Sequence, residues 1–94
     1  MEEQTYEMEI LRLLVKSRGY YEKYYSVVKP YISSKDFKTL YETIDSYYHD
    51  CPQHMFISED DLKLYFATNY PQLRGQVAFE IYIEAIYGLS LIHI

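Results

Sequence analysis

Ser34-Lys35-Asp36-Phe37-Lys38-Thr39-Leu40-Tyr41-Glu42-Thr43-Ile44-Asp45-Ser46-Tyr47-Tyr48 is the stretch that decides the fold. Phe37, Leu40, Tyr41, Ile44, Tyr47 and Tyr48 fall at i, +3, +4, +7, +10 and +11. That spacing gathers apolar side chains on one face of an α-helix for about three turns. Ser34 suits the N-cap, and Asp36 places a negative charge in the first turn, where the helix dipole favours it. His49-Asp50-Cys51-Pro52 closes the helix, because proline restricts the residue before it.

Working outward, the same period continues on both sides. Towards the N-terminus a short helix is predicted over about 20–28, ended by Lys29-Pro30. Tyr20, Tyr24, Val27 and Val28 make one stripe of it, with Tyr21 and Tyr25 beside them. A first helix is predicted over about 6–17, with Thr5 as cap, Tyr6, Ile10, Leu13, Leu14 and Ser17 on one face, and Gly19 as the C′ glycine. On the other side, Met55-Phe56-Ile57 is an apolar connector. Ser58 then caps a fourth helix with Asp61 at N3, and Leu62, Tyr65, Phe66 and Asn69 face inward. A fifth helix over about 73–87 carries the ridges Leu73, Val77, Ile81, Ala85 and Ala78, Tyr82, Ile86. No alternating strand pattern interrupts this. The expectation is an all-α, compact single domain of about five short helices. Its core should include Leu13, Leu14, Phe37, Leu40, Ile44, Leu62, Phe66, Val77 and Ile81.

Ninety-four residues leave room for one core and not for a two-domain cleft. Hydrophobic residues are 49% and charged residues 24%, a globular balance. A net charge of −5 argues against a broad basic surface tracking nucleic-acid phosphates, so direct nucleic-acid binding is not expected. The single cysteine, Cys51, forms no internal disulfide. No apolar run reaches the roughly 18 residues needed to span a bilayer, and Met1-Glu2-Glu3 is unlike a signal-peptide start. No membrane role is expected, and the default location is cytoplasmic.

Few residues suggest chemistry. His49, Cys51 and His54 make an H-x-C-x-x-H cluster, but without a paired fourth ligand it reads as a solvated turn, not a zinc site. Cys51 reads as an ordinary thiol. Glu59-Asp60-Asp61 follows Ser58 directly and fits helix capping better than cation binding. Gly19, Gly75 and Gly88 build no phosphate loop. Neither a catalytic group, a cofactor nor a metal is assigned.

Tyrosine is the unusual feature, with 13 residues against four Phe and no Trp. In the pairs Tyr20-Tyr21, Tyr24-Tyr25 and Tyr47-Tyr48 the two rings point about 100° apart on a helix. One member can enter the core while the other faces outward. Three readings follow: core plus flank, a partner-binding surface, or a platform for stacking single-stranded bases. The acidic balance weighs against the last, although Lys16, Arg18, Lys23 and Lys29 cluster locally. Tyr21, Tyr25 and Tyr48 are taken as the candidate partner surface.

The order of these features resembles the N-terminal domain of hexameric replicative DNA helicases, the DnaB-like family, in its tailed-phage form. Glu7-Met8-Glu9-Ile10-Leu11-Arg12-Leu13-Leu14-Val15 resembles the opening helix, and Tyr20-Tyr21-Glu22-Lys23-Tyr24 the next, with Pro30-Tyr31 where that segment ends. Phe37-Lys38-Thr39-Leu40-Tyr41-Glu42-Thr43-Ile44 is similar to the third helix and Tyr48-His49-Asp50-Cys51-Pro52 to its exit. Ile57-Ser58-Glu59-Asp60-Asp61-Leu62 is similar to the next helix start. The resemblance implies a non-catalytic head domain of the ring's collar, with other helicase subunits and a primase or helicase loader as partners. The cell would be bacterial or phage-infected. It also implies that the family's subunit-pairing hairpin, linker and ATP-dependent motor are not in this chain. The high tyrosine content departs from the family. A free-standing helical adaptor, phage-encoded, is the alternative. Finally, Leu89-Ser90-Leu91-Ile92-His93-Ile94 resembles the in-frame translation of a transposon sequencing adapter. The expectation from this resemblance is a head domain at residues 1–88, with 89–94 non-native and the chain a piece of a longer reading frame; the alternative is a genuine short apolar C-terminus.

Overall fold

The computed structural model describes residues 2–73 and 76–88, with side chains from Tyr6 onward. The expected foreign tail, 89–94, and Gly75 lie outside the described residues. Five α-helices follow in order: α1 Glu2–Lys16, α2 Arg18–Val28, α3 Lys35–Asp50, α4 Glu59–Asn69 and α5 Val77–Gly88. Single 3-10 turns, Lys29–Tyr31 and Pro71–Leu73, follow α2 and α4. The all-α expectation is met. α1 packs on α2, α3 and α5, α3 packs on α2 and α4, and α4 packs on α5.

The third helix behaves as its spacing dictates. Phe37, Leu40, Tyr41, Ile44, Tyr47 and Tyr48 are all buried, and Thr43 joins them by bonding back to the Thr39 carbonyl at 2.7 Å. Ser34 occupies the N-cap but its hydroxyl makes no capping bond. The cap comes from another helix: the buried Glu7 carboxylate accepts from Ser33 Oγ (3.0 Å) and from the Ser34 N–H (3.3 Å). At the fourth helix the expected cap forms, with Ser58 Oγ accepting from the Asp61 N–H at 3.2 Å, but Asn69, expected inward, is exposed and its amide donates back to the Tyr65 carbonyl at 2.9 Å.

The α1–α2 boundary differs from expectation. Ser17 is not on the first helix's buried face. It adopts extended backbone (φ −154°, ψ 123°) and caps α2 by accepting from the Tyr20 N–H. One residue therefore separates the helices, and Gly19 lies inside α2 instead of ending α1. Thr5 likewise falls inside α1. Carbonyls at the end of α1 find remote donors: Tyr48 Oη donates to Leu14 (2.7 Å) and the Ile57 N–H to Val15 (2.8 Å). Ile57 is thus the one member of the Met55-Phe56-Ile57 run tucked into the core, and its neighbours stay exposed. Lys29 keeps helical dihedrals despite Pro30, so the chain tightens into a 3-10 turn where α2 ends.

Three expected core residues are outside it. Leu13 is 47% exposed, Val77 67% and Ile81 56%. In α1 apolar residues occur at 10, 11, 13, 14 and 15, so spacing alone leaves the face open. The helix turns Ile10, Leu11, Leu14 and Val15 inward together with Glu7 and its capping bonds. α5 is apolar almost all round. It buries Phe79, Ile83 and Ile86, because the larger rings take the interior: Phe79 packs on Phe66 (centroids 4.9 Å) and Tyr82 meets Phe37 edge-on (4.8 Å).

Candidate partner-binding surface

The pairs Tyr20-Tyr21 and Tyr24-Tyr25 divide as the helical angle requires, but in the opposite sense to the sequence assignment, while Tyr47 and Tyr48 are both buried. Tyr21 and Tyr48 are buried and Tyr25 is half-buried. They are core residues, not an exposed partner surface. Tyr48 stacks on Tyr21 at 4.4 Å between centroids, and Tyr25 stacks on Tyr41 at 4.2 Å with planes 8° apart. Their polar tips explain the choice. A buried phenol needs a partner, and Tyr21, Tyr41 and Tyr48 have one: Tyr21 donates to Asp45, Tyr41 to the Tyr25 carbonyl, and Tyr48 to the Leu14 carbonyl, so Tyr25 joins the set through its backbone and its ring. Burial pushes Tyr41 and Tyr48 up to about 12, the nearby Arg18 guanidinium pulling Tyr48 the other way. Burial and the Asp45 carboxylate raise Tyr21 and Tyr25 further.

On α2 the tyrosines preceding Tyr21 and Tyr25 face out. Tyr20 and Tyr24 stack on each other at 5.9 Å along α2, and Tyr6 meets Tyr31 edge-on at 6.1 Å across the far ends of α1 and α2. These four are the exposed tyrosines among the described residues. All four line one open groove of about 480 Å³, whose remaining walls are Glu9, Ile10, Leu13, Leu14 and Val28. The groove lies between α1 and α2, so the misplaced Leu13 belongs to it. Glu9, the one charged group in the lining, is ion-paired with Arg12 at 2.5 Å.

Two arginines fix the walls. Arg18 reaches from the start of α2 to the end of α3, where its guanidinium donates to the carbonyls of Tyr48 (2.8 Å), Cys51 (2.7 Å) and His54 (2.6 Å). It also covers the Tyr48 ring at 4.7 Å. Arg12 donates to the Ile86 carbonyl at 3.0 Å near the end of α5. Both place a cation where the helix dipole favours one, so each arginine works structurally.

The other candidates separate. His49 turns to Asp45 at 3.5 Å, while His54 Nδ1 lies 2.5 Å from Tyr47 Oη, which is 3.3 Å from Asp61 Oδ2. Among the described residues no three His, Cys, Asp or Glu side chains converge as metal ligands, and no helix is long and apolar enough to cross a membrane. Comparison with family models, with curated proteins and with solved structures finds no match to this chain.

The sequence assignment placed Tyr21, Tyr25 and Tyr48 outward, whereas Tyr21 and Tyr48 are buried and Tyr25 is half-buried. What it missed is that the Tyr21 and Tyr48 hydroxyls have partners inside the fold, in Asp45 and the Leu14 carbonyl. Asp45 supplied that signal: it lies on the third helix one turn after Tyr41, where an inward phenol can find it.

Proposed function

We propose that this chain is a non-catalytic assembly and partner-binding domain that docks partners through the α1–α2 groove. The observation that carries this reading is the convergence of every exposed tyrosine among the described residues on one apolar groove. Tyrosine supplies large, rigid contact area with a polar tip and is enriched among residues that dominate binding energy. The resemblance to DnaB-like head domains supplies the setting: the collar of a replicative helicase, with helicase subunits, a primase or a loader as partners.

The test is sedimentation of the purified chain with the helicase, primase and loader of its own replicon, beside a Leu13→Glu variant. Leu13 is half exposed, so the variant keeps its fold, as circular dichroism verifies. Co-sedimentation lost in the variant supports the reading. If none of the three proteins binds, the helicase setting fails. Binding that survives Leu13→Glu removes the groove from the account, and ATP hydrolysis by the chain alone would overturn the non-catalytic assignment.

A further inference from the structure

We infer that the groove takes an acidic amphipathic helix, with its apolar stripe on Leu13, Leu14 and Val28 and its carboxylates towards Lys16 and Lys23. This rests on the groove being the docking surface and adds the chemistry of what docks.

Charge distribution is the first argument. The protein is acidic overall, yet residues 9–31 hold Arg12, Lys16, Arg18, Lys23 and Lys29 against only Glu9 and Glu22. The two arginines are ion-paired with those two glutamates, Arg12 with Glu9 at 2.5 Å and Arg18 with Glu22 at 3.6 Å, which leaves the lysines to set the local field. Lys16 is exposed and continues the row Glu9, Leu13, Lys16 along the groove wall of α1. The exposed Lys23 holds its ammonium 5.4 Å over the Tyr24 ring on the opposite wall. The lining itself is neutral, because Glu9 is paired with Arg12. An apolar trough with an exposed lysine beside it on each flanking helix complements a ligand that is apolar along one face and anionic beside it.

Shape is the second. The floor is aliphatic, built from Ile10, Leu13, Leu14 and Val28, and the walls are two helices. This is the geometry in which a helix seats residues at i, i+3 or i+4, and i+7. A single-stranded nucleic acid needs free ring faces in sequence and a continuous basic track. Here Tyr20 and Tyr24 are stacked on each other, and Lys23 already covers Tyr24. The helix is favoured.

The experiment uses fluorescent synthetic probes of defined chemistry and the whole chain. Two peptides of about 18 residues, roughly five helical turns, share a Leu/Ala apolar stripe and differ in carrying Glu or Lys on the polar face. A scrambled Glu peptide and an oligothymidylate of about 15 nucleotides complete the set. The Glu helix should bind at least about tenfold tighter than the Lys helix, and the scrambled peptide should not bind. Leu13→Glu should abolish binding, and the double variant Lys16→Glu with Lys23→Glu should reverse the preference between the two helices. Equal or tighter binding of the Lys helix, or binding of the oligothymidylate that Leu13→Glu removes, overturns the acidic-helix assignment and leaves the groove standing as a docking surface. If no probe binds in a Leu13-dependent way, both the assignment and the groove reading fall.

Discussion

Tyr20 and Tyr21 are adjacent on one helix and serve opposite ends. Tyr21 is buried with its hydroxyl on Asp45, while Tyr20 is 46% exposed on the groove wall. The same contrast runs through the molecule. The inner rings Tyr21, Tyr25, Tyr41 and Tyr48 form stacked contacts, and a phenol bonds across helices wherever it is deepest. The outer rings Tyr6, Tyr20, Tyr24 and Tyr31 have no hydroxyl partner among the described hydrogen bonds and share a single groove. The lesson is that one residue type fills two roles here, and burial separates them, with an internal hydrogen-bond partner for the hydroxyls of Tyr21, Tyr41 and Tyr48. An inner tyrosine substitutes for a capping group. An outer one offers its area and its polar tip to something else.

The largest way to break this contrast is to remove the aliphatic support beneath the inner rings. Leu40 and Ile44 are fully buried on α3. Replacing either by Ala should cost about 2–5 kcal/mol, the range for large-to-small core changes. That could be most of the stability of a domain this size. The outer counterpart, Leu13→Ala, should cost under about 1 kcal/mol, since the side chain is half in water already. Urea denaturation of the three variants checks this. A Leu13→Ala loss equal to that of Leu40→Ala would move Leu13 back into the core.

Removing single hydroxyls from the inner set comes next. Tyr48→Phe leaves the Leu14 carbonyl at the end of α1 without its donor, in a buried site. The expected cost is about 1–3 kcal/mol, that of an orphaned buried acceptor. Arg18→Ala should cost a similar amount, because three carbonyls at the α3–α4 connection lose a charged donor. Arg18→Lys should not restore it, since an ammonium cannot span three acceptors as a planar fork does.

A gentler probe is alkaline titration. Tyr41, Tyr47, Tyr48 and Tyr65 are raised from 10.0 to about 12, first by burial and, for Tyr47, Tyr41 and Tyr65, then by the Asp61, Asp45 and Asp50 carboxylates. Their folded pKa lies above the unfolded one, so the unfolded chain loses these protons first. Their contribution to stability is complete below about pH 10 and is lost as pH rises towards about 12. Tyrosinate absorbance should therefore rise in a late cooperative step that coincides with loss of helical circular dichroism. Smooth ionisation of all the tyrosines around pH 10 with the helices intact would show that the inner rings are not shielded.

How much of this could be read beforehand depends on how many apolar residues each helix carries. In α3 they occupy one face only, so spacing settled both helix and core, from Phe37 to Tyr48. In α1 and α5 they occur on every side, so period could not choose between Leu13 and Leu11, or between Ile81 and Ile83. That choice is made by tertiary partners: Glu7 capping α3, and Phe79 against Phe66. Caps show the same division. Ser58 was legible because its partner Asp61 is three residues away. Glu7 was not, because its partners are Ser33 and Ser34, well beyond any local pattern. The groove followed suit. An excess of tyrosine and a local cluster of lysines were visible in the chain, but which rings faced out depended on Asp45 and on the Leu14 carbonyl.

The smallest expected effect sharpens the contrast most. Tyr20→Phe and Tyr24→Phe remove hydroxyls that face the groove and keep the rings, their mutual stacking and the packing of α2. Nothing buried is left unsatisfied, so each should change stability by less than about 0.5 kcal/mol, as surface substitutions do. Set beside Tyr48→Phe, the comparison holds chemistry constant: the same atom is deleted from the same residue type, and only the location differs. A thermal melt of the three variants against the parent should place Tyr20→Phe and Tyr24→Phe on the parent curve and Tyr48→Phe clearly below it. A Tyr20→Phe loss as large as that of Tyr48→Phe would mean that the outer hydroxyl already has a partner within the fold. The groove would then be part of the domain's own support, not a surface waiting for another molecule.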